Sequence, residues 1–161
     1  MTAKDVIRHS LEMCHGVLKQ YLGDLTDADL LIRPVPGANH SAWMLGHLLI
    51  SENGLNELGL AMPALPEGFA AAYTKETARS DDPAKFHKKA QYLQWLEEQR
   101  AATLAHLAAL PEADLDKPTP EEAQAYAPTI GIMLNVIGIH DMMHASQIAL
   151  VRRKLGKPAL F

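Results

Sequence analysis

Residues 129–158 read TIGIMLNVIGIHDMMHASQIALVRRKLGKP. Stepped at helical spacing, one line of side chains comes out as Ile130, Met133, Ile137, His140, His144, Ile148, Val151 and Leu155. Every step is three or four residues, so these side chains share one stripe of an α-helix. The stripe is apolar except for two imidazoles one turn apart. A buried imidazole needs partners for its ring nitrogens, and a metal ion satisfies two of them at once. Spacing alone does not decide the matter. With 8 His in 161 residues, chance supplies roughly 0.4 such i, i+4 pairs. Placement on an apolar stripe strengthens the case for a metal but leaves a hydrogen-bonded core pair or a solvated edge open. The helix stops at Gly156 with Pro158 beyond it, a strong termination signal. Arg152, Arg153 and Lys154 complement the dipole at that end.

The same reading extends outward to three more helices. The first covers about Thr2 to Leu22, with Thr2 as N-cap and a stripe of Ile7, Leu11, Cys14, Leu18, Tyr21 and Leu25. Gly23-Asp24 ends it, and Thr26 to Asp29 starts a short turn. Pro34, Pro36 and Gly37 break the chain. The second helix runs from His40 or Ser41 to Leu58, capped by Asn39 or Ser41, along Met44, His47 or Leu48, Ser51, Leu55 and Leu58. A Pro-containing connection of about twenty residues follows, too long for a minimal hairpin, so it crosses the bundle end or forms a lid. The third helix opens at Pro83 behind Asp82 and ends near Leu110-Pro111, with Phe86, Ala90, Leu93, Leu104 and Leu107 on its stripe. No strand pattern competes. Four amphipathic helices in a chain of this length predict an all-α, single-domain four-helix bundle over residues 1–161.

Composition narrows the function. Hydrophobic content is 48% and charged content 21%, which argues for a packed domain and against disorder. The net charge of −4 and the absence of a basic stripe give nucleic-acid binding no support. One cysteine, Cys14, permits no internal disulfide. No apolar run reaches membrane-spanning length, and the N-terminus lacks a signal-peptide pattern. The expectation is a cytoplasmic protein without membrane or nucleic-acid partners.

Two imidazoles make a poor metal site, because a catalytic zinc-type centre has three protein ligands and one open position. His47 is the best third ligand, flanked by Trp43, Met44, Leu48 and Leu49. Gly46 before it allows a close approach at a mid-helix cost of about 1 kcal/mol. Taken by itself, His47 reads rather as a satisfied core histidine. His9, His87 and His106 read as solvated, His15 lies on a stripe edge, and His40 reads as a cap. Tyr73, Tyr92, Tyr126 and Trp95 are pocket candidates without a fixed place. Glu12 to His15 matches an E-x-x-H diiron element, but its partner would be Asp141 to His144, with the wrong carboxylate.

SAWMLGHL (41–48) followed by HDMMHASQIALVRRKLGKP (140–158) resembles the DinB (DinB/YfiT-like) superfamily of four-helix-bundle metalloproteins. Trp43 and His47 match its first element. His140, His144, Gln147, Ile148, Arg152, Arg153, Leu155, Gly156 and Pro158 match its second. Ser146 stands where Gly is frequent, and Asp141 where Glu is common. The resemblance implies a His47/His140/His144 site for one divalent transition metal (zinc, nickel or iron), and a homodimer. Family members include thiol-dependent S-transferases, a thiol-dependent isomerase and proteins described only as metal-dependent hydrolases.

Three neutral imidazoles would leave a metal its full positive charge and an open position for water or a substrate donor atom. Imidazole does not select among zinc, nickel, iron, cobalt and copper. The expected function is therefore a metal-dependent enzyme, a thiol-dependent S-transferase or a hydrolase, acting on a small molecule and using a low-molecular-weight thiol if a transferase. The rival is a non-catalytic metal-binding stress-response module, motivated by the lack of a convincing general acid or base. Asp141 could accept a hydrogen bond from a ligand's ring N–H, or simply pack between helices. Gln147 could bind substrate or tie helices together. Cys14 reads as a small buried hydrophobe.

Overall fold

A computed structural model describes residues 1–160. The chain forms α1 (Ala3–Leu22), α2 (Ser41–Asn53), α3 (Lys89–Ala109) and α4 (Ile130–Lys154), joined by connections that contain short 3-10 turns. Among the described residues there is no strand beyond an isolated bridge between Pro118 and Thr129. No helix among them is long and apolar enough to cross a membrane.

Local chemistry sets the ends. Thr2 and Asp5 form a reciprocal capping box on α1. Thr129 caps α4 through the Ile132 N–H. Gly156 takes φ +70, and the N–H groups of Gly156 and Lys157 donate to the carbonyls of Arg153 and Arg152 at 3.0 Å each. That is a Schellman ending, which requires the left-handed conformation glycine adopts freely.

Two helices are shorter than the sequence predicts. α2 ends at Asn53, and Gly54–Leu58 tightens into a 3-10 turn, as glycine's low helix propensity favours. Pro83 opens a 3-10 turn, Pro83–Lys85, capped by Asp82; Phe86 is extended and α3 starts only at Lys89. The cap signal was real, but the helix it begins lasts one turn.

Contacts fix the directions. α1 and α4 run parallel, with Gly138 against Ser10 and Leu11 and Arg152 donating to the Tyr21 carbonyl. α3 runs against α1, because Lys4 reaches the Ala108 carbonyl while Lys19 pairs with Glu97. α2 runs parallel to α3, since His40 packs on Phe86 and Arg100 bonds Glu52. The long α2–α3 connection therefore returns along the bundle to restart at the same end. It neither caps the bundle end nor forms a free lid.

The apolar interior falls into two clusters. One contains Leu18, Leu22, Leu45, Leu49, Leu96 and Ile148. The other contains Ile7, Leu11, Leu55, Leu107, Leu134 and Ile137. On every helix the residues between the clusters supply a buried polar layer: His15, Glu52, Gln99, Arg100, Thr103 and Asp141. Arg100 lies 3.1 Å from Glu52 and 2.9 Å from Asp141, with all three side chains at most 3% exposed. Charges this deep require such pairing.

This layer corrects the predicted stripes. On the buried face of α4 lie the predicted Ile137, His144, Ile148 and Val151, and beside them Leu134, Asp141, Ala145 and Arg152. Ile130, Met133, His140 and Leu155 lie at its edge. On α3 the buried face is Tyr92, Leu96, Gln99, Arg100, Thr103 and Leu107, while Ala90 is exposed.

Candidate metal centre

His47 projects from the middle of α2 toward α4, which presents His140 and His144 one turn apart. One ligating nitrogen from each of the three lies within 4.8 Å of the others. The His140 and His144 Nε2 atoms approach to 3.1 Å. Ring centroids stand 4.9 Å apart for His47 and His140 and 5.4 Å for His47 and His144. Among the described residues no fourth His, Cys, Asp or Glu joins this group.

Neighbours hold the rings. The Trp43 indole stacks on His47 at 5.2 Å and 12°, and is itself fixed by donating from Nε1 to the Thr74 carbonyl at 3.0 Å. Tyr73 packs against Gly46, where a Cβ would come within 2.0 Å of its ring. Glycine before His47 is thus required by a side chain from the α2–α3 connection. On α4, Gln147 Oε1 lies 2.9 Å from His144 Nδ1. With that amide oxygen accepting from Nδ1–H, the Nε2 lone pair of His144 faces the other rings.

Electrostatics keep the imidazoles neutral. Burial pushes His140 down to about 4, helped by the neighbouring His144 and His47. Burial likewise lowers His47, with His144 adding to the effect. His144 is lowered by burial against the opposing pull of Gln147 and Asp141. Neutral imidazole is the ligand form. The 3.1 Å Nε2 separation is close to the spacing of about 3.3 Å for two nitrogens on one tetrahedral ion. Donor type, protonation state and the His140–His144 spacing fit a divalent transition metal.

The other sequence candidates go elsewhere. Asp141 hydrogen-bonds Arg100 and lies 3.5 Å from His15 Nδ1. Its place is the polar layer, paired with Arg100 rather than with the three imidazoles. His15 is 6% exposed, between Asp141 and Glu97 rather than at an edge. Glu12 is exposed, so no diiron pair forms there. His40 caps α2 by accepting the Trp43 N–H on Nδ1. His87 is not simply solvated: it stacks on Phe69 and meets Tyr73, Tyr92 and Trp95. Cys14 is buried, and burial pushes its thiol up.

Beside His140 a cleft of about 390 Å³ opens between α2 and α4, bounded by Ser51, Tyr126, Val136, Ile139 and Met143. Tyr126 was a pocket candidate in the sequence, whereas Val136, Ile139 and Met143 were missed. Ile139 and Met143, one and three residues from His140, lie on the solvent side of the predicted stripe, where an apolar residue carries no periodic signal.

A family model described as the DinB superfamily matches residues 10–148. No curated protein matches the chain in sequence. Among solved structures the fold is similar to a conserved protein from Enterococcus faecalis, with a TM-score of 0.66 and 17% identity over 98% of this chain and 99% of that one. It is also similar to YfiT from Bacillus subtilis, described as a probable metal-dependent hydrolase with an unusual four-helix bundle topology. That match has a TM-score of 0.68 and 21% identity over 96% of this chain and 89% of that one.

Proposed function

The chain belongs to the DinB superfamily, and from that membership and the clustered imidazoles we propose a metal-dependent enzyme that activates a small nucleophile, water or a thiol, against a small-molecule electrophile. Hydrolysis and S-transfer are the two outcomes of that chemistry, set by which nucleophile enters. The observation that carries the reading is the convergence of His47, His140 and His144 beside a cleft with no fourth protein ligand. The description of YfiT as a metal-dependent hydrolase supports it.

When bound, a divalent ion supplies Lewis acidity that lowers the pKa of a water or thiol at its free position. The chain's own residues do the rest. His47, His140 and His144 bind through neutral nitrogens, so no ligand charge offsets that acidity. Trp43 and Gln147 hold two of the rings in place, which limits reorganisation. The largely apolar wall of the cleft offers a bound molecule surface to bury beside the rings. Low-molecular-weight thiols are the expected co-reactants of an S-transferase, and a cytoplasmic homodimer is the expected form.

Metal analysis after loading with zinc, nickel or iron tests the site. Wild type should retain about one ion per chain, since the three His form one site, and H140A/H144A should retain none. Loaded protein should turn over a panel of activated esters, or of electrophiles with added thiols, and His47→Ala should abolish that turnover. Equal metal content in wild type and the double variant would refute the site. Full metal loading with no turnover across the panel would favour a non-catalytic metal-binding module.

A further inference from the structure

We propose that the open cleft beside Trp43 binds a small organic anion, with its carboxylate on Lys75, Arg79 and Asn39 and its apolar body against Trp43 and Ala78. None of the three imidazoles lines this cleft, and the proposal does not depend on the enzyme reading above.

The cleft holds about 550 Å³, within the range of small-molecule sites. One wall is Arg33, Gly37 and Asn39, with Trp43 from the first turn of α2; the other is Lys75, Ala78 and Arg79 from the α2–α3 connection. Two cross-links set the distance between the walls. The Arg33 guanidinium donates to the Ala38, Ala78 and Ser80 carbonyls at 2.6, 2.9 and 3.2 Å, and to Asp81 at 2.8 Å. The Trp43 indole donates to the Thr74 carbonyl at 3.0 Å. A cleft braced in this way binds without first ordering its own walls.

Arg33 is therefore the frame of the site and not its ligand. Lys75, Arg79 and Asn39 differ: among the described residues their side chains have no hydrogen-bond or ion-pair partner. Asn39 reads in the sequence as a cap of α2, but His40 takes that place, which leaves the amide free to donate into the cleft. Lys154 adds a cation at the edge, 2.9 Å from the Arg33 carbonyl. Two carboxylates stand nearby, and neither lines the cleft. Asp81 is taken by Arg33. Glu76 is lowered first by Thr74 and only then by Lys75 and Arg79, and no ion pair joins it to either. Positive charge is thus in excess where Lys75 and Arg79 meet solvent, and a carboxylate matches the fork of an arginine. Between the charged heads, Gly37, Ala78 and the edge of Trp43 offer apolar surface that an inorganic anion would leave wet. The same indole stacks on His47 at 5.2 Å, so one aromatic side chain joins this cleft to the metal centre.

The test titrates benzoate, benzyl alcohol and inorganic phosphate into metal-stripped and metal-loaded protein, followed by the indole N–H resonances. Trp95 packs on Phe69 and His87 away from the cleft and serves as the internal control. Benzoate should move Trp43 and not Trp95, and bind about tenfold tighter than benzyl alcohol. Raising the salt from about 0.01 M to about 0.3 M should weaken benzoate severalfold and leave the alcohol unchanged. Phosphate should bind more weakly than benzoate, because it covers no apolar wall. K75Q/R79Q should bring benzoate down to the level of the alcohol, whereas R8Q/K117Q, which removes two cations outside the cleft, should not. Stripped and loaded protein should bind alike. Equal affinity for benzoate and benzyl alcohol, phosphate matching benzoate, or a preference that survives K75Q/R79Q would each overturn the proposal. So would binding confined to loaded protein, which would move the carboxylate to the metal. Benzoate binding by a chain that takes up no metal would sustain the cleft and refute the enzyme reading alone.

Discussion

His144 is held from two sides, by Gln147 at Nδ1 and by His140 at Nε2. The amide fixes which nitrogen carries the proton, and so which one is free to ligate. Replacing Gln147 with Leu keeps the size and removes the acceptor. Metal affinity should weaken by about 10- to 100-fold, read by competition with a chelator of known strength. Unchanged affinity would show that the ring is oriented without Gln147. This contact was half legible in the sequence: a glutamine one turn past a histidine is visible, but only the structure decides between a ligand-orienting bond and a substrate contact. Asp141 went the other way. Its position after His140 allowed either a bond to a ligand ring or a role in packing helices, and Arg100, forty-one residues earlier in the chain, takes its carboxylate and makes it the latter. No local pattern announces a partner that distant.

At the scale of elements, hydrophobic periodicity located all four helices, found part of the buried face of α4 in Ile137, His144, Ile148 and Val151, and missed most of that of α3. The reason is the polar layer. Periodicity scores Gln99, Arg100, Thr103 and Asp141 as outward, whereas mutual pairing buries them. Removing one member strands the others: Arg100→Met leaves Glu52 and Asp141 buried without a cation. The expected loss is about 3–5 kcal/mol of unfolding free energy, measured by urea titration, and a loss under 1 kcal/mol would mean the layer is wetter than its burial indicates. Gly46 joins α2 to the connection in the same way. Gly46→Ala places a Cβ within 2.0 Å of the Tyr73 ring, which cannot move without disturbing its 2.7 Å bond to Tyr92. Destabilisation of about 1–3 kcal/mol is expected, together with weaker metal binding through His47. Full metal affinity in this variant would separate the connection from the site.

Across the whole molecule, protonation ties stability to pH. Five of the 8 histidines, His40, His47, His87, His140 and His144, have depressed pKa values, with burial as the first cause for each. A histidine depressed in the folded state binds its proton first in the unfolded chain. Stability is therefore complete above the unfolded value of about 6.5 and falls as pH drops toward the folded values, about 4 for His140. Glu52 acts oppositely, since burial raises it, but it is one group against five. Metal-free protein should lose stability steadily between pH 6.5 and about 4, followed by urea midpoints across that range. A flat profile would contradict neutral buried imidazoles.

The ligating helices α2 and α4 lie antiparallel across the bundle, yet His47 and His140 are about ninety residues apart along the chain. Closing a loop that long is an entropic cost met late in folding. A metal that needs both helices finds no assembled binding site in an early collapsed chain. Loading should therefore leave the refolding rate nearly unchanged and slow unfolding, so that the ion acts as a latch on the native state's lifetime rather than as a nucleus for its formation.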